Sequence, residues 1–418
     1  MTAHSAGSFI LVINCGSSSL KFALFSASEA AGSKPELTHL AEGIAEQLES
    51  ESAELKIRYQ HNKISIPCPG ASHEEALLKI VEYLNGHFDL DNGLIGIGHR
   101  VVHGGEQFSD SVILDDAVVQ GVTACSDLAP LHNPANLKGI EIARQAFPTV
   151  SQVAVFDTAF HQSMPQHAYT YALPYSLYEK QGLRRYGFHG TSHRYVSSQA
   201  AHFLNRPLEK LNLISAHLGN GASVTAVRHG NSVDTSMGMT PLEGLVMGTR
   251  SGDIDPGIFG FLSSKGYSAD DIDTMLNRES GLLGISGKSN DMRTLIESAE
   301  SGCPRSQLAI DVFCFRLAKY IVGMMVSLDT LDALIFTGGI GENASQIRQQ
   351  TINHLNQFGL SLNPETNAQP NTSDARSIHS VNSKPILVIA TDEESMIASD
   401  TFRLVCGSPT REPQKQEI

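Results

Sequence analysis

The hydrophobic pattern near the N-terminus predicts two strands joined by a polar turn. Residues 9–13 are an unbroken apolar run, as expected of a strand buried on both faces, and a second apolar run follows at 20–25. Between them, residues 14–19 read Asn-Cys-Gly-Ser-Ser-Ser, and Lys21 follows. Glycine lets the backbone approach a ligand, N–H and hydroxyl groups donate hydrogen bonds, and the lysine adds positive charge. The turn is therefore either an anion site or an ordinary polar hairpin. It is not a P-loop, because no G-x-x-x-x-G-K-[ST] leads into a helix.

The same pattern occurs again in the second half of the chain. An apolar strand at 211–217 is followed by the turn Leu-Gly-Asn-Gly-Ala-Ser at 218–223 and by a strand at 224–228. A third glycine stretch, at 336–343, follows an apolar strand and opens a helix, as strand-to-helix nucleotide sites do. Two strand–turn–strand units in separate halves predict a duplicated core, in which each half grips one side of a phosphate chain.

Periodicity predicts the remaining elements. Asn133 is expected to cap the helix after the Ala-Pro-Leu-His-Asn-Pro loop, and Thr391-Asp392 to cap the last helix. The stretch 235–257 has the composition of a long loop, and such loops inside a compact domain are usually functional. The other predictions are loops at 27–36 and after Cys406, strands at 37–45, 54–66, 93–101, 153–157 and 385–390, and helices at 73–84, within 268–328 and at 393–404.

Composition narrows the class of protein. The chain has 418 residues, 41% of them hydrophobic and 18% charged, which suits two domains with substantial cores. A formal charge of −14 argues against nucleic acid as a partner, and the apolar runs are too short to span a membrane. The N-terminal apolar segment lacks a basic start and is interpreted as a strand, not a signal peptide. Six cysteines without a CxxC pair favour free thiols in the cytoplasm.

Several charged residues lie where ligands collect. Arg100 ends a predicted buried strand just before two glycines, which favours a ligand over a structural carboxylate as its partner. Asp157 lies at the carboxyl end of another strand, where open α/β sheets bind ligands. Arg250 is set in Gly-Thr-Arg-Ser-Gly, with Asp253 and Asp255 expected to hold it by ion pairing. His189 and His193 have a spacing that a metal could use, but satisfied or substrate-facing histidines are the alternative.

With these residues assembled, the chain resembles the acetate/propionate/butyrate kinases of the actin-like phosphotransferase superfamily. The matching stretches span residues 10 to 394, essentially the whole chain, and are highly specific as a set. They are INCGSSSLKF, GHRVVHGGE, APLHNPAN, VAVFDTAFH, YGFHGTSH, AHLGNGAS, DTSMGMTPLEGLVMGTRSGDIDPG, SNDMR, FTGGIGENA and TDEE. The departures are extra residues before Phe9, a polar tail after Cys406, and Asp392 where asparagine is usual.

The resemblance implies an α/β fold of two actin-like (ribonuclease-H-like) domains, each with a βββαβαβα core, and an interdomain cleft. The N-terminal domain would comprise residues 1–157 plus about 395–418 and carry the acid, magnesium and the first phosphate turn. The C-terminal domain, 158–394, would bind nucleotide and dimerise. The implied reaction is reversible, direct in-line phosphoryl transfer from ATP to acetate, giving acetyl phosphate and ADP. It implies Mg²⁺, with Mn²⁺ able to substitute, and a cytoplasmic homodimer whose partners are otherwise small molecules.

The resemblance also assigns roles by position. Asn14 and Glu393 match the magnesium-site residues, and Lys21 the phosphate-proximal lysine. The catalytic group is Asp157, Arg250, Arg100 and His189, and the acid pocket adds Val102, Leu131, Phe188 and Pro241 to Arg100. The remaining ATP-binding residues are His217, Leu218, Gly219, Asn220 and Gly221 in the phosphate loop, and Asp291, Met292, Arg293, Gly339, Ile340, Gly341, Glu342 and Asn343 on the adenosine side.

The chemistry of this reaction agrees with those residue types. A carboxylate attacking a γ-phosphate brings two anions together, so cations must neutralise both, and arginine binds either through two parallel hydrogen bonds. The nucleophile is already ionised, so Asp157 is expected to organise magnesium water or an arginine; a covalent phospho-aspartate is the alternative. The rival functions are a propionate kinase, a sugar or glycerol kinase with Asp157 as base, and a non-catalytic actin-like ATP switch. The last two would have little use for two arginines, Arg100 and Arg250.

Overall fold

The computed structural model describes residues 7–28, 36–370 and 373–407. Most of the predicted loop at 27–36 and almost all of the polar tail lie outside these ranges. The chain divides into two compact units, each described by itself. The N-terminal unit runs to Ala159 and resumes at Asp392, whereas the C-terminal unit is the continuous segment Phe160–Thr391.

Strands form one sheet in each unit. The N-terminal unit contains β1 (Ser8–Cys15), β2 (Leu20–Ser28), β3 (Glu36–Glu46), β4 (Glu54–Tyr59), β5 (Asn62–Pro67), β6 (Leu94–Val101), β7 (Val112–Ile113) and β8 (Gln152–Phe156). The C-terminal unit contains β9 (Asn212–Leu218), β10 (Ala222–Arg228), β11 (Asn231–Thr235), β12 (Ala333–Thr337), β13 (Ala375–Ser377) and β14 (Ile386–Ile389).

Helices connect the strands and cover the sheets. They are α1 (His73–Asn85), α2 (Leu90–Gly93), α3 (Asp116–Ala124), α4 (Asn133–Ala146), α5 (Gln166–Tyr169), α6 (Ser176–Gln181), α7 (Gly190–Phe203), α8 (Gly257–Ser264), α9 (Ala269–Thr274), α10 (Gly281–Ser286), α11 (Met292–Glu300), α12 (Pro304–Met325), α13 (Gly338–Asn343), α14 (Ser345–Asn353), α15 (Pro364–Ala368) and α16 (Glu393–Cys406). Short 3-10 turns occupy Ser126–Leu128, Ala159–Ser163, Leu208–Lys210 and Asn356–Phe358, and Met275–Glu279 is a π-helical turn.

The two sheets share one topology. The N-terminal order is β5-β4-β3-β2-β1-β6-β8-β7, and the C-terminal order is β11-β10-β9-β12-β14-β13. In each sheet the first strand of the unit (β1 or β9) pairs antiparallel with the next strand (β2 or β10). On its other side it pairs parallel with a later strand (β6 or β12). The antiparallel side continues with β3 or β11, and the parallel side continues with β8 or β14. The predicted duplication of a core is therefore present in the strand order itself.

The central strands are mostly apolar because helices cover both sides of the sheet. Side chains alternate along β1, so Leu11 and Ile13 pack with α1 and α4, while Ile10 and Val12 pack with Ile397 and Phe402 of α16. In the C-terminal unit, α7 packs on β9, β12 and β14 through an equivalent apolar cluster. The terminal helix thus completes a core that begins at the N-terminal strand.

Two of the element predictions need correction. The segment 54–66 is a hairpin and not one strand, because Gln60 turns the chain with a left-handed backbone (φ 52°) between β4 and β5. Asn133 does not cap α4: it is the first helical residue, fully buried, and its side chain bonds the backbone of His103. The cap predicted at Thr391-Asp392 is confirmed, since the Asp392 carboxylate accepts a hydrogen bond from the Ser395 N–H at 2.8 Å.

Candidate active site

In the N-terminal unit, the parallel strands β1, β6 and β8 bring three predicted residues to one edge of the sheet. The Arg100 guanidinium donates to both carboxylate oxygens of Asp157, from Nε at 3.1 Å and from Nη2 at 2.5 Å. Its Nη1 lies 3.5 Å from Oδ1 of Asn14. Asp157 is 2% exposed, whereas the Arg100 side chain is 24% exposed. The arginine is therefore fixed by a buried carboxylate while part of it faces outward.

Glu393, the first residue of α16, joins this cluster. Its Oε2 lies 4.0 Å from Nε of Arg100. Burial raises the pKa of the Glu393 carboxyl to about 7; Arg100 opposes this, and the charges of Asp157 and Glu394 add to it. For Arg100, burial disfavours the charged form, but the carboxylates of Asp157 and Glu393 outweigh it and raise its pKa. The unit thus concentrates negative charge around a single arginine.

Lys21 lies beside Asn14, because β1 and β2 pair these two residues in register. It is exposed and borders a groove of about 690 Å³ over β2–β5. The preceding turn is closed by the Gly16 N–H, which donates to the Ser19 carbonyl at 2.8 Å. The turn therefore leaves Ser17 and Ser18 exposed at its tip.

Two asparagines support this edge: Asn136, which the sequence analysis did not single out, and Asn133, which it expected only as a helix cap. Asn136 accepts a hydrogen bond from the Val102 N–H at 3.0 Å and donates to the Cys15 carbonyl at 2.8 Å. Asn133 accepts from the His103 N–H at 3.1 Å and donates to its carbonyl at 2.9 Å. Helix α4 therefore fixes the ends of β6 and β1 together. The motif that contains both asparagines was visible in the sequence, but their partners 30 and 121 residues away were not.

In the C-terminal unit, the predicted phosphate loop joins β9 to β10. The Gly219 N–H donates to the Gly221 carbonyl at 2.9 Å and closes the turn. The rings of His189 and His217 stack beside it with their centroids 4.3 Å apart. Each ring is fixed at Nδ1 by a serine hydroxyl: Ser223 at 2.9 Å for His189 and Ser192 at 2.8 Å for His217. His189 takes a left-handed backbone (φ 56°) immediately before α7, where its side chain still reaches the turn.

The other glycine loops assemble on the same turn. The Gly248 N–H donates to the Asn220 carbonyl at 2.9 Å, and the Asn290 amide donates to Oδ1 of Asn220 at 2.9 Å. A Cβ on Gly248 would lie 1.9 Å from that Oδ1, and one on Gly338 would lie 2.8 Å from the Leu218 carbonyl. Glycine is required at Gly338 because the backbone of the turn packs directly against it, whereas a Cβ on Gly248 would displace the Asn220 side chain. The structure therefore brings the second and third glycine stretches together.

The side chain of Arg250 does not have the partners that the sequence predicted. Within the described ranges it forms no ion pair; its Nη1 donates to the Pro241 carbonyl at 3.3 Å and lies 3.7 Å from the Met247 sulfur. Asp253 instead accepts from the Gly244 N–H and the Tyr320 hydroxyl, and Asp255 accepts from the Gly257 N–H. The predicted ion pairing was wrong, because both aspartates shape the loop backbone. Burial without a compensating carboxylate lowers the pKa of Arg250.

The predicted long loop is confirmed between β11 and α8, and it is firmly held. Arg185 donates from Nη1 to the carbonyls of residues 235, 236 and 237, and from Nη2 to Glu243 at 2.6 Å. Nη1 of Arg250 also lies 3.5 Å from the point where a Cβ of Gly221 would be. A guanidinium on a fixed loop is thus aimed at the phosphate turn.

The remaining predicted site residues differ in burial and in their contacts. Val102 and Phe188 are buried, whereas Leu131 is 65% exposed. Nε2 of His161 donates to the Phe188 carbonyl at 3.0 Å. His193, weighed as a metal ligand, has both ring nitrogens bonded to serine hydroxyls. The candidates for the adenosine side lie in two short helical regions. Asp291 caps α11, which begins at Met292, and forms an ion pair with exposed Arg293. The other five candidates belong to α13: Gly339, Ile340, Gly341, Glu342 and Asn343.

The duplicated strand order, the paired glycine turns and the arginine–carboxylate edge define a two-domain α/β protein of the actin-like class. The model of the Acetokinase family matches residues 9–399, and the chain belongs to that family. It is 51% identical over 401 residues to the acetate kinase of Stutzerimonas stutzeri (strain A1501), covering 95% of this chain and 98% of the relative.

Solved structures agree with this assignment. A propionate kinase from Francisella tularensis is 47% identical with a TM-score of 0.88, covering 95% of this chain and 100% of that one. Acetate kinase from Porphyromonas gingivalis is 41% identical with a TM-score of 0.89 and the same coverage. The chain is therefore an enzyme, a kinase that transfers a phosphoryl group to a carboxylate. Across the described ranges, no helix is long and apolar enough to cross a membrane.

Proposed function

We propose that this protein catalyses reversible, direct phosphoryl transfer between ATP and acetate, with propionate as the nearest alternative acid. The observation that carries the proposal is the contrast between the two arginines. Arg100 is fixed by the Asp157 carboxylate, which leaves an oriented fork for a substrate carboxylate. Arg250 has no carboxylate partner in the described residues and points toward the phosphate turn. A buried cation without a counterion is the group that a transferring phosphoryl would neutralise.

In this mechanism each residue of the chain acts by binding or orientation. Arg100 binds the acid, and Asp157 holds the guanidinium plane. Lys21 and the 217–221 turn bind the phosphate chain, and His189 donates to the transferring phosphoryl group. The nucleophile is already ionised, so the chain needs no strong general base. Phospho-aspartate is disfavoured because both oxygens of Asp157 accept hydrogen bonds from Arg100.

Magnesium fits the N-terminal cluster. Mg²⁺ prefers oxygen ligands and one or two carboxylates. Asn14 and Glu393 supply an amide and a carboxylate oxygen. Burial is the main cause of the raised pKa of Glu393, and the charges of Asp157 and Glu394 add to it; a divalent cation would relieve that repulsion. Among the described residues no group of three or more His, Cys, Asp or Glu is arranged for a metal, so water and phosphate would supply the other ligands. When bound, the ion would neutralise charge on the phosphate chain.

Acyl phosphate formation tests the proposal directly. Protein, Mg-ATP and acetate, propionate or butyrate are incubated with hydroxylamine, and the hydroxamate product is measured. Acetate should give the highest kcat/KM. Absence of hydroxamate with every acid would overturn the proposal, and a preference for propionate would favour the alternative.

The proposal also requires residues of both units to act on one ATP and one acid. Small-angle scattering with saturating Mg-ATP and acetate should therefore give a smaller radius of gyration than the free protein. An unchanged value at saturation would contradict this requirement.

We further propose a homodimer in a reducing compartment such as the cytoplasm. Helix α8 supports the dimer, because Ile258, Phe259 and Phe261 are 37%, 47% and 61% exposed and form an apolar surface in the C-terminal unit. None of the six cysteines, all within the described ranges, forms a disulfide, which supports the compartment. Sedimentation of wild type against Phe261→Asp tests the dimer: the variant should be monomeric. An unaltered dimer would remove α8 from the interface.

A further inference from the structure

Behind the stacked histidines lies a chain of hydrogen bonds that the proposed mechanism does not yet use. The Ser223 hydroxyl lies 2.9 Å from Nδ1 of His189 and 2.7 Å from Nε2 of His193. Nδ1 of His193 lies 2.6 Å from the Ser215 hydroxyl. Ser215, His193 and Ser223 are all fully buried. The four side chains therefore form one continuous line from the strand β9 to the phosphate turn.

The charge state of His193 restricts how this line can be occupied by protons. Burial, with the neighbouring rings of His161 and His217, holds the pKa of His193 well below its usual value, so the ring is neutral and has one N–H. Every hydrogen bond in the line then points the same way, because each hydroxyl has only one proton to donate. Two directions are available, and they give neutral His189 opposite tautomers.

Only one direction suits a neutral His189 that donates to a phosphoryl group through Nε2. Its Nδ1 must then accept, and Ser223 must donate to it. Ser223 in turn accepts from the Nε2–H of His193, whose Nδ1 accepts from Ser215. In the opposite direction, neutral His189 would present a lone pair to an anion.

We propose that Ser223 is a positioning residue: its hydroxyl, oriented by His193 and Ser215, holds His189 in the Nε2–H tautomer that donates to the transferring phosphoryl group. The inference rests on the proposed role of His189. Ser223 itself does not contact substrate. It acts by fixing the tautomer of His189, as the hydrogen-bond partners of functional histidines do.

The first test reads the tautomer without any activity. Nitrogen-15 NMR of histidine-labelled protein should show His189 protonated at Nε2 and unprotonated at Nδ1 in the wild type. Ser223→Ala should mix or invert the tautomers. A wild-type His189 protonated only at Nδ1 would overturn the inference even if the enzyme makes acyl phosphate.

The second test is kinetic. Ser223→Ala should lower kcat about 10- to 100-fold with a small change in the KM for ATP, a range typical of lost partners behind a catalytic ligand. Its kcat–pH profile should also shift, because the variant loses the hydroxyl that bonds Nδ1 of His189. Among the described groups that face His189 are His217, His193 through Ser223, and Arg250 beside Gly221, and these remain in the variant.

The matched control is Thr225→Val on the same strand. It removes an equally buried hydroxyl that bonds Thr235 at 2.8 Å; this hydroxyl lies opposite Ser215 across the β9–β10 pair but is not a member of the line of hydrogen bonds. Both variants should lose similar thermal stability, and only Ser223→Ala should lose turnover. Equal kcat losses in the two variants, or wild-type kcat in Ser223→Ala, would overturn the inference. If instead the wild type forms no acyl phosphate while the NMR result holds, the proposed function fails and the positioning network remains.

Discussion

Replacing Arg250 separates a catalytic role from a structural one. The two contacts of its guanidinium, to the Pro241 carbonyl at 3.3 Å and the Met247 sulfur at 3.7 Å, are long and involve no carboxylate. One such hydrogen bond contributes about 1 kcal/mol, and burial of an unpaired charge offsets it. Arg250→Ala should therefore change the free energy of unfolding by less than about 1 kcal/mol.

Replacing Arg250 should affect kcat far more than it affects stability. Loss of one preorganised donor to a transition state costs about 10²- to 10³-fold in kcat, or about 2.7–4 kcal/mol. Arg250→Lys keeps a charge but loses the planar fork, so its kcat should still fall about 10²-fold while ATP affinity stays near that of the wild type. Added guanidinium should partly rescue Arg250→Ala.

The assay is hydroxamate formation with Mg-ATP and acetate, alongside chemical denaturation of the same preparations. Arg206→Ala is the control, since it removes an exposed arginine paired with Asp332 in the same unit and should leave kcat unchanged. The reasoning is refuted if Arg250→Ala turns over at the wild-type rate. It is equally refuted if the loss of unfolding free energy is as large as the rise in activation free energy calculated from kcat.

Three further outcomes are expected. Val102, buried just after β6, should favour acetate over propionate by about 10- to 200-fold, and Val102→Ala should narrow that ratio in the hydroxamate assay; equal use of both acids by the wild type would contradict it. Burial, partly opposed by its bond to Gln152, lowers the pKa of His99 from 6.5 to about 4. The unfolded state therefore binds more protons between these values, and stability should fall as pH drops from about 6.5 to 4. His99→Gln should flatten that decline in denaturation series, and an unchanged slope would refute it. Asn133→Ala removes two hydrogen bonds to the buried backbone of His103 and should cost about 2–4 kcal/mol of unfolding free energy, against almost nothing for exposed Lys138→Ala. Equal melting temperatures of the two variants would contradict this role of Asn133.

Much of the fold could be predicted from local pattern. The apolar runs, the glycine turns and the caps are short-range signals, and the strand–turn–strand unit occurs twice within the chain. Arg100 and Asp157 were identified because each ends a buried strand, and parallel strands bring such ends to one edge. Local pattern could not show which side chains form hydrogen bonds with residues distant in sequence.

The errors have the same cause. Asn133 has the composition of a cap, but its amide is used 30 residues away by His103, so the tertiary contact overrides the local preference. Asp253 and Asp255 follow Arg250 closely, yet Asp253 accepts from the Gly244 N–H and the distant Tyr320 hydroxyl, and Asp255 accepts from the Gly257 N–H. Ser223 stood out only as the last residue of the predicted turn at 218–223, and no local pattern indicated its bonds to His189 and His193, which are 34 and 30 residues away.

The placement of α16 has a consequence for synthesis on the ribosome. The C-terminal unit is one continuous segment and can fold as it emerges, whereas β1 must wait for a helix that leaves the ribosome almost 400 residues later. Until then Ile10 and Val12 lack their cover from Ile397 and Phe402, and Glu393 has not reached Arg100. A chain released before residue 393 would therefore have an exposed apolar sheet face and an incomplete carboxylate cluster. Formation of the carboxylate cluster and burial of this sheet face are therefore one event, which must follow the synthesis of residues 393–402.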